Sequence, residues 1–273
     1  MQHKIGIIGG GNMGECLIGG LIHQGHSPQK IWVADQQEEK LSNLHNKWQI
    51  FTSVHNQKVA SEVDILVLAV KPQSMKMVVE DLRLTFDPQK TLLVSIAAGI
   101  TTQQIQHWLN NLAIPVIRAM PNTPALYGYG ITGLYATSSS TSEQKQQAEN
   151  LMTALGQTVW IHEESQMDIV TALSGSGPAY FFYFMEALIN GAKSLGLPAD
   201  AASKLTFYTA LGSAQMVLNS QEDILSLRQK VTSPGGTTEQ GIKALKDGKL
   251  PELLLNTLQA ATLKGKQLSE QYG

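Results

Sequence analysis

Residues 5–14 read Ile5-Gly6-Ile7-Ile8-Gly9-Gly10-Gly11-Asn12-Met13-Gly14. The apolar run Lys4–Ile8 has the pattern of a short buried strand. It is followed at once by Gly9, Gly11 and Gly14, spaced G-x-G-x-x-G, and then by apolar residues at helical intervals over Met13–His23. Gly9 permits a tight turn after the strand. Gly11 lets the backbone approach a pyrophosphate, and Gly14 lets helix and strand pack closely. The helix N-terminus offers free N–H groups and a positive dipole end to phosphates. Three glycines alone are a weak signal. Placed between a strand and a helix, with a second strand to follow, they read as a dinucleotide-binding turn.

The pattern continues outward from this turn. Ile31–Ala34 reads as a second strand and Glu38–Trp48 as a helix. Asp64–Val70 and Thr91–Ile96 are nearly unbroken apolar runs, as expected of strands covered on both faces. Met75–Leu84 is helical in spacing. Thr101 and Gln104 form a capping-box pattern that opens a helix to Trp108. Ile114–Arg118, Gly130–Tyr135 and Thr158–Ile161 read as further strands, with a helix over Glu143–Leu155. Strands alternating with helices predict an α/β fold: a doubly wound parallel sheet of the Rossmann type over residues 1–162. Beyond about Ser165 no strand pattern appears. Helical stretches at Tyr180–Leu195, Ala199–Leu218, Ile224–Val231, Thr238–Lys246 and Glu252–Ser269 predict an all-helical domain over residues 163–273. Tyr180–Met185 (YFFYFM) is apolar all round, so it belongs in a core or a subunit interface.

Composition narrows the class. Of the 273 residues, 42% are hydrophobic and 15% charged, with a net charge of −2. That suits a globular chain and gives no basic footprint for nucleic acid or an acidic membrane surface. The single cysteine, Cys16, excludes an internal disulfide framework and a cysteine zinc site. The seven histidines are scattered, and no metal-ligand spacing is present, so no metal is expected. Lys4 precedes an apolar run too short for a secretory leader, and no stretch nears the roughly 18 apolar residues of a membrane span. A soluble, cytoplasmic protein is the expectation.

Asp35 ends the second strand, roughly 20 residues past the glycine loop, where an acid takes the ribose 2′-hydroxyl of NAD and repels the 2′-phosphate of NADP. It is equally placed to cap the following helix. Lys71, in Ala69-Val70-Lys71-Pro72, lies at the carboxyl end of a central strand, and either contacts a cofactor or is a solvated loop lysine. Ser174-Gly175-Ser176-Gly177-Pro178 reads as a helix start, with Pro178 in its first turn. Thr232-Ser233-Pro234-Gly235-Gly236-Thr237-Thr238 has two glycines whose freed backbone can form an anion nest, followed by two hydroxyls, a combination suited to a small carboxylate with a nearby nitrogen. An ordinary turn with Thr238 as helix cap is the alternative.

Together, IGIIGGGNMGECLIGGLI (5–22), AVKP (69–72), SIAAG (95–99), RAMPNTPALYGYG (118–130), LSGSGPAYFFYFMEAL (173–188) and VTSPGGTTEQGI (231–242) resemble the pyrroline-5-carboxylate reductase family. They run along almost the whole chain in family order, and the last three are specific to it. The resemblance implies reduction of the C=N bond of 1-pyrroline-5-carboxylate to proline by NADPH or NADH. It also implies a homodimer built by interlocked helical domains, in some members assembled into a decamer. The active site would then lie between one subunit's cofactor and the SPGGTT loop of its partner.

By motif, Gly9, Gly11, Asn12 and Met13 would cradle the pyrophosphate, Asp35 the ribose, and Asn56 the adenosine side. Val70, Lys71, Pro72, Ala97 and Ala98 would line the nicotinamide end. Met120 and Pro121 would flank the reaction centre. Ser233, Gly236, Thr237 and Thr238 would bind the substrate, with the N–H groups of Gly236 and Thr237 on its carboxylate and the Thr238 hydroxyl on its ring nitrogen as the catalytic contact. Two departures stand out: Arg228-Gln229-Lys230 replaces the common Lys-Asp-x, and Asp35 stands where many relatives have a small or hydroxyl residue. The competing readings are a related imine or β-hydroxyacid reductase, and a non-catalytic NAD(P)-binding protein of proline homeostasis.

Overall fold

The computed structural model describes residues 3–272. The chain begins with β1 (Ile5–Ile8), α1 (Asn12–His23), β2 (Ile31–Ala34), α2 (Glu38–Trp48), β3 (Phe51–Ser53), α3 (Asn56–Ala60), β4 (Ile65–Leu68) and α4 (Pro72–Asp81). It continues with β5 (Leu92–Ser95), α5 (Thr102–Trp108), β6 (Val116–Met120), β7 (Gly130–Ala136), α6 (Ser142–Met152) and β8 (Gly156–Trp160). The strands form one sheet in the order β3-β2-β1-β4-β5-β6-β7-β8. Every neighbouring pair is parallel except β6 and β7.

The sheet is doubly wound because its inner strands are apolar on both faces. β1, β4 and β5 are buried throughout. On one face Ile7, Val33 and Val67 pack with Leu17 and Leu21 of α1 and Leu44 of α2. On the other, Ile8, Leu66 and Leu68 pack with Met75 and Val79 of α4 and with Ile105 and Trp108 of α5. The chain order reverses between β1 and β4, which opens a crevice at their carboxyl ends.

Local differences from the sequence reading have physical causes. β3 is absent from the expected strands because Phe51-Thr52-Ser53 is short and has no alternation to read. Parallel pairing with β2 and the stacking of Phe51 on Trp32, centroids 4.5 Å apart, hold it in place. α4 starts at Pro72 rather than Met75, since proline suits a first helical position whose N–H has no partner. The Thr101–Gln104 capping box forms as expected, and a second one, Thr141 with Gln144, opens α6.

The chain divides into two compact units. The first runs to Ser176 and takes up the chain again from Ala260; the second is Gly177–Gln259. Residues 163–176, expected with the helices, pack with the sheet in this division. Within them, Val170 of α7 (Met167–Val170) fills the space left open by Gly133 of β7. The segment Ser174–Pro178 is also more than a helix start. Thr171–Gly175 is a π-turn that follows α7 directly, closed by the Ser176 N–H donating to the Thr171 carbonyl at 2.8 Å.

The second unit is helical: α8 (Gly177–Ser194), α9 (Ala199–Asn219), α10 (Ile224–Lys230), α11 (Thr237–Asp247) and the start of α12 (Leu250–Tyr272). Its apolar side chains are largely uncovered in the single chain: Phe181, Phe182 and Tyr183 are 68%, 65% and 73% exposed. Tyr180–Met185, expected in a core or a subunit interface, is thus not covered by the helices of its own unit. Among the described residues no helix is long and apolar enough to cross a membrane.

Candidate active site

A cavity of about 230 Å³ opens at the β1/β4 crevice. Its wall includes Gly9 and Gly11 of the glycine loop, Asp35 after β2, Asn56 at the start of α3, and Val70 and Lys71 after β4. Six residues singled out in the sequence thus meet on one surface.

The glycine loop has the geometry its sequence requires. Gly9 has φ +107°, and a Cβ there would lie 2.6 Å from the Ala69 carbonyl oxygen. A Cβ at Gly14 would lie 2.4 Å from the Gly9 carbonyl oxygen, so only glycine lets α1 sit this close to the strand end. At Gly11 a Cβ would meet nothing within 4 Å. The space over Gly11 is open, and a side chain there would occupy room that phosphates need. No side chain caps α1, and the loop residue Gly11 is its N-cap. The N–H groups of its first turn therefore have no partner in the helix and face outward at its positive end. A dinucleotide pyrophosphate fits these residues.

Asp35 is anchored on three sides. Its Oδ2 accepts from the Gly10 N–H at 2.9 Å and from Lys40 Nζ at 3.0 Å, and its Oδ1 accepts from the Gln37 N–H at 3.0 Å. Burial pushes this carboxyl up, but the Lys40 ammonium and the two N–H groups outweigh burial and hold it below the ordinary aspartate value. Asp35 does not cap α2 as the alternative had it: the N-cap is Gln37, with no side-chain bond. Lys71 is exposed and is the N-cap of α4, in extended conformation.

The remaining expected cofactor residues lie outside this wall. Asn12 is exposed and faces a separate groove along α1, while Met13 packs against the core. Pro72 is the first residue of α4. Ala97 and Ala98 follow β5, where the Ala97 N–H donates to Ser95 Oγ at 3.4 Å. Met120 and Pro121 end and follow β6. Because β4, β5 and β6 are parallel neighbours, Val70–Pro72, Ala97–Ala98 and Met120–Pro121 all stand along the carboxyl-end edge of the strands.

That edge is braced by residues the sequence reading passed over. Asn122 is buried; its Nδ2 donates to the Ser174 carbonyl at 3.1 Å and its Oδ1 accepts from the Ile131 N–H at 2.9 Å. This joins the Met120-Pro121-Asn122 turn to the π-turn. Gly175 in that turn leaves room for Met120, whose Cε would be 2.6 Å from a Cβ there. Arg118, its side chain 4% exposed, donates to Glu164 Oε1 at 3.2 Å. Glu164 also accepts from the N–H and the hydroxyl of Thr102, at 2.7 and 2.6 Å. Lys40 was missed too, although its place in the first turn after Asp35 is a readable signal.

In the helical unit, Ser233, Gly236, Thr237 and Thr238 form the turn into α11. The Gly236 N–H donates to the Ser233 carbonyl at 3.0 Å, and the Gly235 N–H to Glu239 Oε2 at 2.8 Å. The expectation that the Gly236 N–H takes a carboxylate is therefore not met: closing the turn uses it. Gly236 is the N-cap of α11, without a side-chain cap, so the N–H groups of Thr237, Thr238 and Glu239 are the ones without helical partners. Both threonines are exposed.

Over 99% of its length the chain is 43% identical to the pyrroline-5-carboxylate reductase of Pseudomonas aeruginosa, covering 98% of that protein. The chain belongs to the pyrroline-5-carboxylate reductase family. Residues 164–268 match the family's dimerisation domain, and residues 4–99 match the family described as NADP oxidoreductase coenzyme F420-dependent. The solved pyrroline-5-carboxylate reductase of Coxiella burnetii superposes with a TM-score of 0.94 at 44% identity, over 98% of this chain and 99% of that one. The Plasmodium falciparum pyrroline carboxylate reductase, solved with NADP bound, superposes at 0.86 with 27% identity over 98% of each chain. Residues 164–268 are accordingly the oligomerising part of a pyrroline-5-carboxylate reductase fold.

Proposed function

We propose that the chain is an NAD(P)H-dependent oxidoreductase that reduces the C=N bond of 1-pyrroline-5-carboxylate, the last step of proline biosynthesis. The observation that carries this reading is the cavity at the β1/β4 crevice, with its open glycine loop, in a chain related end to end to pyrroline-5-carboxylate reductases. The bound dihydronicotinamide supplies the hydride. Gly9, Gly11 and the first turn of α1 hold the pyrophosphate, with Asn12 and Met13 contributing from that turn. Asp35 and Asn56 hold the adenosine side. Val70, Lys71, Pro72, Ala97 and Ala98 form the nicotinamide end, and Met120 and Pro121 flank the substrate.

Ser233 and the N–H groups of Thr237 and Thr238 hold the substrate carboxylate, in a turn shaped by Gly236. The Thr238 hydroxyl orients the ring nitrogen. A protonated imine already bears the activating charge, so positioning does most of the work and a strong protein acid is not required. We assign cofactor binding to residues 1–162 and dimerisation and substrate binding to residues 163–273. The enzyme is read as a cytoplasmic homodimer, able to build a decamer, whose SPGGTT turn completes the site of the partner subunit. Measuring kcat/KM for pyrroline-5-carboxylate with NADH and with NADPH tests this. Turnover with either supports it, and a folded, cofactor-binding protein that oxidises neither overturns it.

A further inference from the structure

The adenosine end of the cavity contains an arrangement that the rule for an acid after β2 does not cover. Asp35, Gln36, Gln37 and Lys40 all stand on the cavity wall. The Lys40 stem lies across the glycine loop, its Cδ 3.4 Å from where a Gly10 Cβ would be. Its ammonium sits 3.0 Å from Asp35 Oδ2, with side-chain exposures of 33% for Lys40 and 11% for Asp35. Among the described residues of this wall the only other cation is Lys71, which belongs to the end of β4.

The hydrogen-bond inventory of the pair is informative. A carboxylate has about four lone-pair sites. Asp35 Oδ2 accepts two donors, Gly10 N–H and Lys40 Nζ, and Oδ1 accepts one, the Gln37 N–H. One acceptor site on Oδ1 is left, which suits a ribose hydroxyl. An ammonium has three protons, and Lys40 uses one on Asp35. Its remaining protons suit a phosphate. An unpaired Asp35 would repel a 2′-phosphate, but this one is neutralised by a cation that stands on the same wall.

We propose that Lys40 is a specificity-determining residue: paired with Asp35 it makes one site that accepts both a 2′-hydroxyl and a 2′-phosphate, and Lys40 is what admits the phosphate. This rests on the dinucleotide reading of the cavity and deepens it. Asp35 keeps the hydroxyl contact of NADH. Lys40 turns part of its hydrogen bonding to the phosphate of NADPH without leaving Asp35 uncompensated.

The test is binding, read separately from turnover. Affinities of the full-length protein for NADH, NADPH, 5′-AMP and 2′,5′-ADP are measured by calorimetric titration, for wild type, Lys40→Gln and Lys40→Arg. Loss of a charge-assisted phosphate contact is expected to weaken NADPH and 2′,5′-ADP about 10-fold or more in Lys40→Gln. NADH and 5′-AMP should change by less than about 2-fold, and Lys40→Arg should retain the phosphate ligands. In the wild type, raising the ionic strength should weaken 2′,5′-ADP more than 5′-AMP, a measurement that needs no variant. Equal weakening of all four ligands would mean that Lys40 only braces the loop, and no change would mean that it does not meet the phosphate; either overturns the inference. A wild type that binds none of the four overturns the dinucleotide reading itself, so the two failures are distinguishable.

Discussion

At the scale of single residues, the site depends on a few polar atoms with defined vacancies. Thr238 stands exposed in the first turn of α11, with its hydroxyl available. If it orients the substrate nitrogen, Thr238→Ala should raise KM and lower kcat, at a cost of about 1–3 kcal/mol in transition-state stabilisation. Steady-state kinetics identical to wild type would sink that role. Asp35 makes a second prediction. Burial raises its pKa, but Lys40, Gln37 and Gly10 outweigh burial and the net shift is downward. The folded chain then holds fewer protons than the unfolded chain between the two pKa values. Its contribution is present above the ordinary aspartate range and lost as the pH falls through the folded value. Asp35→Asn should therefore flatten the acid-side fall in stability, followed by urea denaturation from pH 7 downward; an unchanged slope would show that the Gly10 brace has no such role. Asp168 has the opposite sign: burial, with Glu164 adding, raises it against the pull of Arg118 and Lys266. Its contribution is present below the ordinary range and is lost as the pH rises through the folded value.

At the scale of elements, the edge of the sheet is set by polar ties between segments remote in sequence. Glu164 joins the N-terminus of α5 to β6 through Thr102 and Arg118. The Gln104 side chain donates to the Ser269 carbonyl at 2.8 Å, and Gly265 lets α12 pass close to Asp168, 3.1 Å from a Cβ there. Arg118 is buried, and its remaining acidic neighbour, Asp168, is 3.9 Å away. Removing Glu164 leaves the buried guanidinium with only this longer contact. Glu164→Ala should cost about 3–5 kcal/mol, seen as a lower urea midpoint. Replacing Arg118 and Glu164 together by apolar residues should recover part of that loss, and a double variant as weak as the sum of the singles would argue against a coupled pair.

At the scale of the whole molecule, the helical unit by itself leaves a large apolar surface uncovered. Phe181, Phe182, Tyr183, Phe207 and Tyr208 are each more than half exposed. An apolar surface of this extent marks an interface, in agreement with the dimerisation-domain match over residues 164–268. Light scattering should give at least twice the 29.6 kDa chain mass. Phe182→Glu should shift the population toward monomer or reduce solubility, whereas a wild-type monomer at micromolar concentration would refute the interface.

Features written in local patterns are legible from the amino acids alone. The glycine spacing at Gly9–Gly14 called for a tight turn at Gly9 and a close approach at Gly14; the structure has both, the turn with φ +107° at Gly9. The apolar runs dictated a sheet covered on both faces, the Thr101–Gln104 box formed as written, and the motifs alone carried the family resemblance. Features that depend on distant partners came from the fold alone. Asp35 reads as a lone acid in sequence; folded, it is a carboxylate balanced by Lys40 and committed to Gly10. Gly236 reads as a free donor, yet closing its own turn uses that N–H. β3 exists because β2 offers it a backbone edge and Trp32 a ring. Periodicity records which face of an element is buried, but hydrogen bonds are shared out among groups that only the fold brings within 3 Å of each other.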